Sequence, residues 1–206
     1  MDLMEAIEGR RSIRKFLDES LCEEDLKEIV RAGILAPNAE NDQAWYFVAV
    51  TNKEVLNKIS EVVNHRVDSI IDACKKFDYD AIEKHKYFLT FFKDAPALIL
   101  AFARPSDNAI NLALDKLNMD FKTPIPIDVV QQSIGAALQN ISLAAHSKGY
   151  GTTWMFGPVV AYKEIAELVN VTEPWVLSAV LPIGRPAQSP KPRPRKSIDE
   201  VYTIIK

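Results

Sequence analysis

The chain has 206 residues, of which 48% are hydrophobic and 26% charged, and these typical globular proportions argue against disordered and fibrous classes. Its 25 Lys and Arg against 28 Asp and Glu leave a net charge of −3, which favours neither nucleic acid nor an anionic membrane as a partner. Cys22 and Cys74 stand alone and far apart, which excludes a disulfide framework and a cysteine-built zinc site. No apolar run reaches the roughly 20 residues of a membrane span, and the N-terminus lacks a signal-peptide pattern. We therefore expect one soluble, cytoplasmic domain over residues 1–206, with no metal site.

The N-terminal third of the chain predicts three helices and one strand. Apolar residues at helical spacing indicate a first helix over Asp2–Gly9. Capping-box patterns at Ser20–Glu23 and Thr51–Glu54 mark the starts of the second and third helices, and Pro37 ends the second. The continuously apolar, β-rich run Trp45–Val50 predicts a buried strand between them.

The middle of the chain is harder to interpret. Residues 64–93 are rich in aromatic and charged side chains, and we expect two helical pieces with a mobile junction near Asp78–Asp80. A second buried strand is predicted at Ala97–Phe102. Residues 104–126 contain several prolines, which predict loops around one short helix.

The C-terminal half begins with the clearest element of the sequence. Asp128 is placed to cap an apolar, alanine-rich helix that ends at Lys148–Gly149, and this pattern is typical of a central core helix. Three shorter elements follow: a strand at Thr152–Phe156, a helix at Ala161–Val169 and a strand at Trp175–Ile183.

The C-terminal tail carries closely spaced prolines between Arg185 and Arg195, so we expect it to be extended and exposed. It ends in Val201–Ile205, a strand-like segment that needs a sheet to join.

Two cationic clusters are the densest polar features. Arg10–Lys15 places four cations around Ser12, and arginine forks with a hydroxyl are well suited to bind phosphate. A second cluster lies on the tail and comprises Lys191, Arg193, Arg195 and Lys196. The two clusters either converge on one phosphate or form separate solvated surfaces, and a nucleic-acid arm is disfavoured by the acidic chain as a whole.

Several familiar chemistries are missing from the sequence. Gly149-Tyr-Gly151 is the only G-x-G, and it follows a helix rather than a strand. There is no P-loop, nucleophile elbow or H-E-x-x-H helix, and the three histidines are scattered, with His146 placed as a helix C-terminal cap. A phosphorylated cofactor that itself carries the chemistry would fit anion-binding residues without a nucleophile.

Three motifs together resemble the signature blocks of the FMN-dependent nitroreductase family, in the same order and spacing over essentially the whole chain. They are Arg10-Arg-Ser-Ile-Arg-Lys-Phe16, Ala36-Pro-Asn-Ala-Glu-Asn-Asp-Gln-Ala-Trp45 and Gly149-Tyr-Gly-Thr-Thr-Trp-Met-Phe-Gly157. The resemblance implies an α+β fold with a small mixed β-sheet flanked by helices, and a homodimer with FMN at its interface. It also implies that the C-terminal strand is exchanged between subunits, which agrees with the unpaired segment Val201–Ile205.

The resemblance also implies a role for each matching residue. The phosphate and ribityl chain would be held by Arg10, Arg11 and Ser12, with Arg193 and Arg195 closing on the phosphate. Arg14 would reach the pyrimidine edge of the flavin. The partner subunit would contribute Pro37, Asn38, Ala39 and Asn41. The backbone of Met155, Phe156 and Gly157 would run beside flavin atoms N5 and O4.

This sequence departs from the family pattern in several places. Asn38 and Ala39 replace small hydroxyl residues, and Ala44 replaces a proline. Phe156 stands where some relatives have an acidic residue or glycine. Phe88–Phe92 occupies the stretch from which some relatives send an amide or lysine to the flavin. These changes do not affect the residues expected to contact the phosphate, and they leave the identity of the substrate undetermined.

The function implied is an NAD(P)H-dependent flavin oxidoreductase, with NADH or NADPH as hydride donor. It would pass reducing equivalents to a nitroaromatic or quinone-type acceptor by a ping-pong mechanism. Alternatives are a specialised relative, of reductive dehalogenase or flavin-fragmenting type, and a non-catalytic FMN-binding protein. The aromatic residues 77–92 predict a hydrophobic lid that favours flat, apolar acceptors.

Overall fold

The computed structural model describes residues 1–77, 79–106, 109–118 and 128–206. Within these ranges the helices are α1 (Leu3–Gly9), α2 (Glu23–Ile34), α3 (Lys53–Lys75), α4 (Ala81–Thr90), α5 (Ala109–Lys116), α6 (Val129–Ser147) and α7 (Tyr162–Leu168). The strands are β1 (Trp45–Val50), β2 (Ala97–Ala103), β3 (Gly151–Thr152) and β4 (Val176–Gly184). Asp78, Pro124 and Pro126, which the sequence analysis used to mark a junction and loops, lie outside the described ranges.

The strands form one sheet in the order β1-β2-β4-β3. Every pairing between these strands is antiparallel, with Trp45 opposite Ala103 and Ala97 opposite Ile183. The α+β class is confirmed, but the sheet of one chain is antiparallel rather than mixed. In the described part of the chain, the parallel pairing is a single bridge between Ser12 and Thr152.

Strand β2 is buried along its whole length because helices cover both faces of the sheet. Its residues Leu98, Leu100 and Phe102 belong to one core, which they share with α3 and α7. The alternate residues Ala97, Ile99 and Ala101 belong to a second core, shared with α2 and α6. The period of two therefore divides one apolar run between two cores, and this explains why the predicted strand shows no polar alternation.

Two predicted helix starts are shifted. The α2 N-cap is Cys22, which makes no side-chain capping bond, so the pattern at Ser20–Glu23 does not form a capping box. At α3 the cap is Asn52, whose Oδ1 accepts from the backbone N–H groups of Glu54 and Val55 at 2.9 and 3.2 Å. Asn52 takes the place expected for Thr51, because both are good capping residues and the position in the turn decides between them. Asp128 caps α6 as predicted.

The strand predicted at Thr152–Phe156 is mostly absent. Strand β3 ends at Thr152, and beyond it Met155 meets β4 only through a bridge with Val180. The tail after Ala187 has neither helix nor strand up to Ser197, as its prolines predict. Val201–Ile205 forms no strand within the single chain and is exposed, so its pairing in a dimer stays a prediction.

Candidate functional site

The first cationic cluster, Arg10–Lys15, lies between β3 and the start of the tail and is held there by backbone hydrogen bonds. The N–H of Ile13 donates to the carbonyl of Thr152 at 3.0 Å. The N–H of Leu17 donates to the carbonyl of Arg185, and the N–H of Ala187 to the carbonyl of Lys15, both at 2.9 Å. These bonds run the two segments side by side, so the structure brings together the two cationic clusters, an arrangement that the sequence left open.

The two clusters line one cavity of about 530 Å³, which we call the basic cavity. Its polar lining includes Arg10, Arg11, Ser12 and Arg14 from the first segment and Lys191, Arg193 and Arg195 from the tail. Burial, followed by the neighbouring charges of Arg11 and Arg195, lowers the pKa of Arg10. Cations that destabilise one another in this way favour binding of an anion, so the residues present fit the phosphate of FMN.

His146 lies beside the basic cavity, in the last turn of α6. A Cβ atom added to Gly9 would come within 2.8 Å of its Nε2 atom, so a larger residue at this position would require the ring to shift. Burial, and then the charges of Arg10 and Arg11, lower the pKa of His146. The neutral ring is therefore favoured, which argues against the cationic helix cap expected from the sequence. The scattered histidines gave no sign of this neighbourhood, because α1 and α6 meet only in the tertiary structure.

Arg14 is half-buried between aromatic rings. Its Cζ atom lies 6.0 Å from the ring centroids of both Phe88 and Phe91. Within the described ranges no carboxylate is within ion-pair distance of its guanidinium. Among the described side chains, no acidic one holds the N–H donors of Arg14, so with respect to these residues the donors are available to a ligand.

The segment with aromatic side chains predicted to form a lid divides between core and surface. Phe91 and Phe92 are buried in the core that β2 shares with α3. Tyr87 and Phe88 are about half exposed on α4, and Phe77 is largely exposed at the end of α3. Of the exposed group, Phe88 lies next to a predicted cofactor residue, Arg14.

The third block combines a buried and an exposed residue. Met155 is buried, and its N–H and carbonyl both bond to Val180, at 2.9 and 3.0 Å. Phe156 is 74% exposed, and Gly157 begins a 3₁₀ turn against α4, where a Cβ would lie 2.5 Å from Leu89. A backbone donor from this block would therefore come from Phe156 or Gly157 rather than Met155.

The middle block forms a loop with a turn and a hydrogen bond within the block itself. A 3₁₀ turn spans Ala39–Asn41, and the Oδ1 atom of Asn38 accepts from the N–H of Gln43 at 2.8 Å. Glu40, Asn41 and Gln43 have φ values of 53°, 54° and 49°. Left-handed conformations at such residues cost on the order of 1–2 kcal/mol each, so this loop is held by its surroundings.

The loop is anchored to the end of β2 by Arg104, which forms an ion pair with Asp42 and donates to its carbonyl at 3.1 Å. A hydrogen bond from Ser106 and this contact with Arg104 lower the pKa of the Asp42 carboxyl. Pro37 and Asn41 are exposed beside this anchor.

The middle block and the basic cavity lie at opposite corners of the sheet. The block leads into Trp45, which is level with Ala103, whereas Thr152 is level with Ile183 and hence with Ala97. Three strand spacings of about 4.8 Å separate the two edges, and six residues of about 3.3 Å each separate the two levels. One chain therefore brings together Arg14 and the residues predicted to bind phosphate, but not the residues of the middle block.

The described residues contain no group of three or more His, Cys, Asp or Glu side chains arranged to hold a metal ion. Among the described helices, none combines the length and apolar character needed to cross a membrane.

Known proteins resemble this chain over nearly its whole length. A protein of Methanothermobacter thermautotrophicus named putative NADH dehydrogenase/NAD(P)H nitroreductase is 32% identical over 98% of this chain and 86% of its own length. Iodotyrosine deiodinase from Thermotoga neapolitana is 24% identical over 98% of both chains. The crystal structure of a BluB-like flavoprotein from Clostridium difficile 630 covers 100% of both chains with a TM-score of 0.90 at 26% identity. Residues 7–185 match the model of the Nitroreductase family. The chain therefore belongs to the nitroreductase family, whose enzymes use FMN and NAD(P)H.

Proposed function

We propose that this protein is an FMN-dependent oxidoreductase that passes reducing equivalents from NAD(P)H to a nitroaromatic or quinone-type acceptor by a ping-pong mechanism. The observation that carries the proposal is the basic cavity, because it gathers five arginines within one chain of this family: Arg10, Arg11, Arg14, Arg193 and Arg195. When bound, FMN supplies the hydride chemistry, so the chain itself needs no nucleophile.

The residues of the cavity divide between binding and electrostatics. Arg10, Arg11 and Ser12, with Arg193 and Arg195 from the tail, would bind the phosphate and the first ribityl oxygens through charge-assisted hydrogen bonds. Arg14 would face the pyrimidine edge of the flavin ring. A cation there stabilises the negative charge that reduction places on that edge, and so raises the reduction potential.

A second copy of the chain would complete the site. Pro37, Asn38, Ala39 and Asn41 lie at the opposite corner of the sheet from the basic cavity, so contact with the same flavin requires another subunit. We therefore propose a homodimer, with each FMN bound by the basic cavity of one subunit and the middle block of the other.

A groove between α2 and β1, here called the α2–β1 groove, would receive the end of the partner chain. It has a volume of about 820 Å³, and Leu26, Val30 and Phe47 contribute to its apolar lining. Strand β1, six residues long, is an edge of the sheet, whereas the segment Val201–Ile205 is apolar and exposed, with Ile205 at 95%. Pairing of this segment along β1 would cover both surfaces.

Reductive dehalogenation is a second candidate function. It is favoured by the end-to-end match to a protein named iodotyrosine deiodinase. Against it stands the apolar character of the exposed rings of Tyr87 and Phe88 near Arg14, since an amino acid substrate requires charged partners.

An acceptor panel tests these functions against one another. With NADH and NADPH as donors, menadione and dinitrobenzene should exceed ferricyanide in kcat/KM by at least about tenfold, the ratio given by 1.4 kcal/mol of differential transition-state binding. Release of iodide from 3-iodotyrosine at a higher kcat/KM than menadione reduction would replace the proposal with the dehalogenase. A yellow protein with no turnover on any acceptor would indicate a binding protein.

A further inference from the structure

Arg14 is held in an unusual way for a functional cation. Lys148, by comparison, is fixed by carboxylates, with its Nζ atom 2.8 Å from Asp25 and 2.5 Å from Glu28. Arg14 has two aromatic neighbours instead, and within the described ranges no acidic partner. A neighbouring carboxylate would cancel much of its positive charge, whereas aromatic rings hold the cation and leave its charge effective.

The two rings are themselves fixed. Phe91 is buried in the core, and Tyr87 packs on both rings, with its centroid 5.4 Å from Phe88 and 6.0 Å from Phe91. Phe88 is 53% exposed, so part of its ring is open to solvent, while Tyr87 packs against the ring. Tyr87 and Phe88 lie at the end of α4, and Phe91 begins the turn that follows it. One short stretch of chain therefore restricts the position of the Arg14 guanidinium.

Rings that approach the face of a guanidinium leave the N–H donors in its plane free to bond a ligand. A flexible arginine without such support would lose side-chain entropy on binding and sample other positions. We propose that Phe88 is a positioning residue, which together with Phe91 clamps Arg14 so that its charge is directed at the flavin. This inference rests on the proposed placement of Arg14 at the pyrimidine edge.

A double-mutant cycle on the full-length protein tests the clamp, with the midpoint potential and the dissociation constant of bound FMN as readouts. Arg14→Met should lower the equilibrium constant for FMN reduction about tenfold, which equals about 30 mV for a two-electron couple. Phe88→Leu should lower it about threefold, the size of one partly exposed cation–π contact. In the Arg14→Met background, Phe88→Leu should have no further effect on the potential.

Phe77→Leu is the matched control, since Phe77 is an exposed phenylalanine at the end of α3 and is not one of the rings next to Arg14. It should leave the potential unchanged. If Phe88→Leu lowers the potential equally in both backgrounds, Phe88 acts on the flavin directly and the clamp is wrong. If Arg14→Met shifts the potential but Phe88→Leu does not, the clamp fails while the placement of Arg14 stands. If Arg14→Met itself has no effect, the placement of Arg14 fails and the clamp with it.

Discussion

The basic cavity and the middle block are two halves of one proposed site, yet they are built in opposite ways. The basic cavity is assembled within one chain, by backbone bonds between the segment around Lys15 and the tail around Arg185. Burial, and then repulsion by Arg11 and Arg195, lower the pKa of Arg10. In the middle block, polar groups are paired within the chain: Asn38 accepts a hydrogen bond from Gln43, and Asp42 forms an ion pair with Arg104.

This difference indicates which half of the proposed site depends on formation of a dimer. The basic cavity is electrostatically unfavourable until an anion arrives, but its geometry is complete in the monomer. The middle block is a loop with left-handed residues at Glu40, Asn41 and Gln43, and it lies at the opposite corner of the sheet from the basic cavity. Under the proposed assignment, phosphate recognition would be a property of the single chain, whereas recognition of the flavin ring would require two chains.

Removal of the last ten residues, Ser197–Lys206, should have the largest effect on the proposed site. Without Val201–Ile205 the α2–β1 groove of each partner stays open, so the dimer should dissociate or aggregate and FMN should be released. Size-exclusion chromatography with absorbance of bound flavin measures both effects.

A single substitution separates this effect from misfolding of the shortened chain. Ile204→Asp places a charge in the proposed apolar contact and should also yield monomer, whereas Lys206→Ala should leave a yellow dimer. A truncated protein that remains dimeric and yellow would rule out strand exchange.

Arg10→Ala tests the half that is complete in one chain. Loss of one charge-assisted contact should weaken FMN affinity by about 1.5–3 kcal/mol, which is roughly 10- to 150-fold. The midpoint potential should change less than in Arg14→Met, because Arg10 faces the phosphate rather than the ring. Flavin fluorescence titration gives the affinity. Equal loss of cofactor in both variants, with unchanged potentials, would show that the roles assigned to Arg10 and Arg14 are wrong.

Mixed dimers test whether the two halves come from different chains. Chains with Arg10→Ala and chains with Asn41→Ala should each bind FMN weakly as homodimers. In a heterodimer, one site receives both lesions and the other receives neither, so about half of the sites should regain native affinity. If both halves belonged to one chain, no site in the heterodimer would be intact, and titration of the tagged and purified heterodimer would show only weak binding.

The parts of this structure that the sequence predicts are those set by local pattern. Strand β2 was predicted because both its faces are buried, and α6 because Asp128 and Lys148–Gly149 mark its ends. Strand β3 was predicted too long, because the apolar run through Met155 resembles a strand although tertiary contacts end it at Thr152.

The local sequence pattern does not decide whether the two basic clusters converge or lie apart. The bonds between Lys15 and Ala187 and between Leu17 and Arg185 join the two ends of the chain, and no local pattern specifies such a pairing. The aromatic contacts of Arg14 were missed for the same reason, since α4 reaches the basic segment only through the packing of the tertiary structure.

The smallest expected effect concerns His146, at the border of the basic cavity. Its pKa is lowered by burial and by Arg10 and Arg11, so the unfolded chain binds more protons than the native one just below the ordinary histidine pKa of about 6.5. The free energy of unfolding should therefore fall as the pH drops through about 6.5 toward the native pKa. His146→Gln should flatten this part of the stability profile, and His65→Gln, at an exposed position on α3, is the matched control.

FMN should reduce the same pH dependence if its phosphate lies in the basic cavity. A bound dianion offsets the charges of Arg10 and Arg11, so protonation of His146 becomes less costly and its pKa rises toward the ordinary value. Urea denaturation between about pH 7.5 and about pH 5.5, with and without saturating FMN, measures the two slopes. The phosphate of FMN itself takes up a proton in this pH range and adds its own pH dependence, which His146→Gln retains. The slope with FMN minus the slope without it should therefore be smaller in the natural protein than in His146→Gln. An equal slope change in the two proteins would place the phosphate away from Arg10 and Arg11, and would remove the basic cavity from the half of the site that one chain completes.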